Sequence, residues 1–151
     1  MIRIESGRDP IDNCRVPLSV YPQFDEQNGV EEVYYSRSIC LSNQEARDTV
    51  CELLDELMDV FEADSVHIGC DEGFSLGVCE KCAAKQRGEL FASWINGINR
   101  HVRKRGGSVL MWGDRLLSSE TTGYDRWEAS DNGSYTAINL IDCGRIWRSG
   151  L

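Results

Sequence analysis

Residues 66–74 read VHIGCDEGF. Asp71 and Glu72 stand side by side after a short apolar run, with His67 upstream and Gly69 and Gly73 flanking them. Two carboxylates that reach one cavity can divide labour: the drier one keeps its proton and acts as an acid, while the other stays ionised and stabilises positive charge. Glycoside hydrolysis uses that division. Two solvated acids in a loop are the ordinary reading of the same pair, and spacing alone leaves both open.

A third acid, Asp114, follows a second apolar run in SVLMWGDR at 108–115. Trp112 ends that run. A lone tryptophan is most often core, but at the end of a strand it can also form a flat wall for a sugar ring. Trp127, in RWEAS, offers a second wall or a loop anchor. CEKC at 79–82 sets Cys79 and Cys82 in a C-x2-C, for which a structural zinc would need two more ligands. Cys40, Cys70 and His67 are available, at spacings that match no standard zinc pattern. The alternative is a pair of reduced thiols in a surface loop, and the sequence assigns no metal and no cofactor. Ser–His–Asp chemistry lacks a G-x-S-x-G and has only His67 and His101 to draw on. Phosphate-binding GxGxxG and GxxxxGK[ST] loops are absent.

Such residues need a frame. The chain has 151 residues, enough for one domain with a sizeable core. A formal charge of −9 argues against a nucleic-acid partner, which needs a basic face, and offers nothing to an anionic membrane. The basic run RHVRKR at 100–105 reads as a complement to a helix dipole. No run is long and apolar enough to span a bilayer. The charged start MIRIESGRDP shows no secretory signal, and an odd count of seven cysteines fits reduced thiols in a cytoplasm-like compartment.

The periodicity supplies the elements. SNQE at 42–45 reads as a capping box of Ser42 and Glu45. Val50, Leu53, Leu54, Leu57 and Phe61 then recur at helical spacing, predicting a helix over 43–62 with Glu52, Asp55, Glu56 and Asp59 in water. A strand follows at 65–70. Leu90, Phe91, Trp94, Ile95, Ile98 and Val102 mark a second helix, closed by Gly106 and Gly107. The next strand is 108–112, and another is expected near 138–141. Residues 15–24 read as a short extended segment or loop, 25–29 as a turn, and the first fifteen residues carry little pattern. Strands separated by amphipathic helices imply parallel βαβ units, whose functional residues collect at the carboxyl ends of the strands. Both central strands end in acids.

HIGCDE at 67–72 resembles the H-x-G-x-D-E signature of the family 20 glycoside hydrolases, the β-N-acetylhexosaminidases. VYPQFDE (20–26), YYSRSIC (34–40), FEAD (61–64), MWGDRLL (111–117) and TTGYDRWEAS (121–130) are similar to that family in the same order. The likeness covers residues 16–135. It implies an α/β fold: about half of a (β/α)8 TIM barrel over 16–151, with 1–15 unassigned. It also implies a substrate-assisted reaction on an N-acetylhexosamine-containing glycan. The substrate's 2-acetamido oxygen attacks the anomeric carbon, Glu72 is the general acid and base, and Asp71 orients the acetamido group. His67, Trp112, Asp114 and Trp127 would line the sugar site. Half a barrel leaves strand edges unpaired. The other expectation is therefore a catalytically inactive remnant that binds sugar weakly or associates with itself as a homo-oligomer.

Overall fold

The computed structural model describes residues 2–3, 15–27, 38–70, 76–113, 116 and 145–147, with side chains described for 18–27, 38–70, 76–113 and 116. Its elements are β1 (Ile2–Arg3), α1 (Arg15–Val20), a 3-10 turn (Pro22–Phe24), α2 (Gln44–Val60), β2 (Ser65–His67), α3 (Arg87–Lys104), β3 (Ser108–Trp112) and β4 (Arg145–Trp147). The four strands form one sheet in the order β1-β2-β3-β4, each parallel to its neighbour. The α/β class and the parallel sheet follow the expectation. Val109, Leu110 and Met111 are consecutive and all buried, as in a strand covered on both faces. None of the described helices is long and apolar enough to cross a membrane.

α3 presents the expected stripe. Leu90, Phe91, Trp94, Ile95, Ile98 and Val102 are all buried; the last five join Val66, Val109 and Met111 in one core, and Leu90 packs with Cys40 and Cys82 in a second, smaller cluster. On α2 the stripe is rotated from the expected one. Ala46, Cys51, Leu54 and Met58 are buried, whereas Leu53 and Phe61 are 43% and 59% exposed. Small Ala46 and Cys51 share the inner face with Met58 and with Leu54, which holds its expected place, and the bulkier Leu53 and Phe61 fall outside it. The cap differs too. Asn43, not Ser42, is the N-cap, and its side chain accepts the Ala46 N–H at 3.2 Å.

Residues 15–24, expected to be extended or a loop, form α1 and the 3-10 turn. Pro17 lies in the first turn of α1 and Pro22 opens the 3-10 turn, where the first N–H groups have no helical partner to lose. The N-terminal segment also holds a strand: Ile2 and Arg3 pair with Val66 and His67. Residues 138–141 lie outside the described residues, and the described strand that flanks β3 on the side away from β2 is β4.

Both long helices end in a Schellman motif. After α3, Gly106 N–H donates to Arg103 O and Gly107 N–H to Val102 O, with Gly106 at φ +81°. After α2, Ala63 N–H donates to Met58 O, and the left-handed position is taken by exposed Glu62 at φ +49°. A side chain there costs about 1 kcal/mol that glycine avoids. Glu62→Gly is therefore expected to stabilise the fold by roughly 0.5 kcal/mol after the larger chain entropy of glycine is subtracted. Urea denaturation measures it, and a loss of stability would contradict the strain at Glu62.

Asp55 does not simply face water. Its carboxylate takes a hydrogen bond from His101 Nε2 at 2.8 Å and an ion pair from Arg105 Nη1 at 2.8 Å, and Arg105 also reaches Asp59. The basic run at the end of α3 thus ties α3 to α2. Partial burial raises the Asp55 pKa, but the bonds from His101 and Arg105 outweigh it and hold the carboxyl below its ordinary value. A folded pKa below the unfolded one adds stability above the ordinary carboxylate range, lost as pH falls through the folded value. Asp55→Asn should cost about 0.5–1 kcal/mol near neutrality, given its partial exposure, and the difference should vanish in acid. Denaturant midpoints across pH test this; a difference that persists undiminished in acid would rule it out.

Candidate functional site

β2 and β3 run side by side with Ser65, Val66 and His67 opposite Ser108, Val109 and Leu110. Pairing continues past the end of β2: Ile68 N–H donates to Leu110 O and Trp112 N–H to Gly69 O, each at 2.9 Å. The carboxyl ends of the two strands are thereby fixed together. At that junction the His67 and Trp112 rings meet edge to face, with centroids 5.0 Å apart and planes at 61°. His67 is buried, and its Nδ1 accepts the Gly69 N–H at 3.1 Å, which in the neutral ring places the proton on Nε2. A buried imidazole of fixed tautomer and a half-buried indole therefore flank the place where the chain leaves β2.

The exit itself is strained. Gly69 and Cys70 are both left-handed, at φ +70° and +72°. Glycine adopts that conformation freely, while cysteine pays for it with a Cβ clash of about 1–2 kcal/mol. Two such residues in succession end the strand's alternation immediately before Asp71. Non-glycine residues held this way collect at functional sites.

Of the residues singled out in the sequence, His67 and Trp112 are described and are brought together. Asp71, Glu72, Asp114 and Trp127 lie outside the described residues. Asp71 directly follows Cys70, and Asp114 directly follows buried Gly113, so both acids attach to the two joined strand ends. What is described is the frame: a half-buried indole, a buried imidazole in contact with it, and two strand ends that lead into acids.

A second cluster lies away from this junction. Cys40, Cys79, Cys82 and Glu26 bring three sulfurs and a carboxylate oxygen within 4.8 Å of one another. Cys40 and Cys82 are buried and Cys79 is half-buried, so the C-x2-C is not a pair of thiols in a surface loop. Of the further ligands weighed from the sequence, Cys40 joins the cluster, and Cys70 and His67 do not. Glu26 was hidden in a segment that reads as turn chemistry. Its partner across the chain, Cys40, arrives through an antiparallel bridge between Asp25 and Ile39 that no local period announces.

Comparison with known proteins gives one family. The model of the glycosyl hydrolase family 20 catalytic domain matches residues 15–139. No curated protein matches significantly. Among solved structures, the chain is similar to a β-N-acetylhexosaminidase from Bacteroides fragilis, with 19% identity and a TM-score of 0.56, covering 71% of this chain and 23% of that one. A chitobiase from Flavobacterium johnsoniae gives 20% identity and 0.56, covering 76% of this chain and 19% of that one. An exo-β-N-acetylglucosaminidase from Vibrio harveyi, solved with N-acetylglucosamine, gives 18% and 0.52, with coverage of 76% and 20%. At these identities the likeness is one of fold, and the chain spans about a fifth of the length of each of these proteins.

Proposed function

The chain belongs to glycosyl hydrolase family 20, and from that membership we propose that it carries the acid pair of a β-N-acetylhexosaminidase-type glycosidase. The four parallel strands among its described residues would form part of a (β/α)8 barrel. Their strictly sequential order supports this, since a doubly wound sheet reverses its strand order. The observation that carries the functional reading is the family match over 15–139, which includes Asp71, Glu72, Trp112, Asp114 and Trp127.

In this reading the substrate is a glycan ending in β-linked N-acetylhexosamine, and hydrolysis retains configuration. Glu72 gives its proton to the glycosidic oxygen as that bond breaks. The acetamido carbonyl oxygen, not a protein carboxylate, forms the new bond to the anomeric carbon. Asp71 accepts the acetamido N–H and stabilises the positive charge that spreads over the resulting ring. Glu72, now a carboxylate, takes a proton from the water that reopens it. Trp112 walls the acetamido pocket, and His67 positions the strand end from which both acids hang. Asp114 and Trp127 complete the sugar site from the following segments.

The test is hydrolysis of a chromogenic β-N-acetylglucosaminide beside the matching β-glucoside. The glucoside has no acetamido oxygen, so only the first should be cleaved. Equal turnover of both would exclude substrate assistance. Folded protein that cleaves neither would favour the inactive, sugar-binding reading instead.

A further inference from the structure

We propose that Cys40, Cys79, Cys82 and Glu26 form a structural zinc site. It stands apart from the glycosidase reading and does not depend on it.

The spacing of the ligand atoms suits a tetrahedral thiolate site. Cys40 Sγ lies 3.6 Å from Cys79 Sγ and 3.6 Å from Cys82 Sγ. Two sulfurs each about 2.3 Å from one tetrahedral zinc are about 3.8 Å apart. A disulfide would bring them to about 2.05 Å. The C-x2-C is wound into a tight turn in which Cys82 N–H and Ala83 N–H both donate to Cys79 O, at 2.9 and 2.8 Å. That turn directs two sulfurs to one point, and Cys40 arrives from the chain leading to α2.

The fourth ligand is held in place before any ion arrives. One Glu26 oxygen, Oε1, accepts Val78 N–H at 2.8 Å and Cys79 N–H at 3.1 Å. The other, Oε2, is buried and has no aligned hydrogen-bond partner among the described residues. A buried carboxylate oxygen left bare is costly, and a cation removes that cost. Three soft thiolates with one oxygen select zinc over magnesium or calcium.

The surroundings fit thiolates. Ser42 Oγ lies 3.1 Å from Cys82 Sγ and accepts from Lys85 Nζ at 2.9 Å, so its own proton can turn to a Cys82 thiolate while Lys85 offsets negative charge. Backbone N–H groups of Ser42 and Cys82 favour the thiolates of Cys40 and Cys79. Without a cation, burial first and then the Glu26 carboxylate push the Cys40 thiol well up; burial and then Cys82 push Cys79 up. Zinc binds thiolates and so displaces thiol protons to solvent, and affinity should climb with pH. The ion would tie the loop that follows the acid pair to the segment between the 3-10 turn and α2.

The experiment uses the whole chain, purified under reducing conditions, with zinc measured by mass spectrometry against protein. One zinc per chain is expected. Cys79→Ser with Cys82→Ser should abolish it, and Cys51→Ala, altered on α2 outside the cluster, should keep it. Cobalt added to chelator-treated protein should give a sulfur-to-cobalt charge-transfer band with tetrahedral visible bands. Glu26→Gln should keep the charge-transfer band but weaken binding at least about tenfold. Chelation should lower the melting temperature by more than about 5 °C. Folded, reduced protein with neither bound zinc nor a thiolate–cobalt band would overturn the site. Unchanged affinity in Glu26→Gln would overturn its fourth ligand.

Discussion

Glu72→Gln is expected to lower turnover of an N-acetylhexosaminide by at least about 10³-fold while the protein stays folded. Glutamine keeps the shape and one acceptor oxygen but has no proton to give and cannot take one from water. The same residue serves both halves of the reaction, so both should slow. The halves can be separated by the leaving group. A nitrophenolate departs with little protonation, so its loss should be modest in the first step and large in the second. A sugar alkoxide needs the proton to depart, so an unactivated disaccharide should lose activity in both. The alkaline limb of the pH–rate profile should also disappear, because the group that must be protonated is gone. Kinetics on the two substrates, with circular dichroism to confirm folding, decide it. A mutant that turns over both at the parent's rate would remove Glu72 from the chemistry.

What the sequence made legible follows from how each feature is encoded. α3 was readable because its inward residues are large: six bulky apolar side chains at helical spacing, all buried in the fold. α2 was readable as a helix but not in its orientation. Ala46 and Cys51 face inward, and an apolar count favours Leu53 and Phe61, which are exposed. β1 has two residues and takes its structure from pairing with Val66 and His67, a contact across more than sixty positions. The prolines at 17 and 22 read as breakers, yet they stand where a helix and a 3-10 turn begin.

The same contrast separates the two clusters. HIGCDE is contiguous, so its signature stands in the sequence itself; among the described residues the fold adds the contact between His67 and Trp112 and the left-handed exit at Gly69 and Cys70. The thiol cluster gathers from three segments. Its assembly depends on the bridge at Asp25 and Ile39 and on the bonds of Glu26 N–H to Ser38 O and of Cys40 N–H to Phe24 O, each at 2.8 Å. These bring Glu26 and Cys40 side by side although fourteen positions separate them. Ser42 shows how local signals mislead: it stands in a capping pattern, but its hydroxyl is engaged with Cys82 and Lys85.

Asp71→Asn is expected to cost at least about 10²–10³ in kcat, for a different reason. Asparagine retains an oxygen that can accept the acetamido N–H, so the sugar should still bind. The negative charge is lost, and that charge matters most when the acetamido group becomes cationic. An interaction that strengthens only in the transition state lowers kcat and kcat/KM together and leaves KM nearly unchanged. The alkaline limb of the pH–rate profile should survive, since Glu72 still titrates. That pattern separates the two carboxylates: one change removes a proton-transfer limb, the other lowers the whole curve. If Asp71→Asn stayed within about threefold of the parent in kcat, or raised KM alone, Asp71 would be a binding residue without a part in stabilising charge.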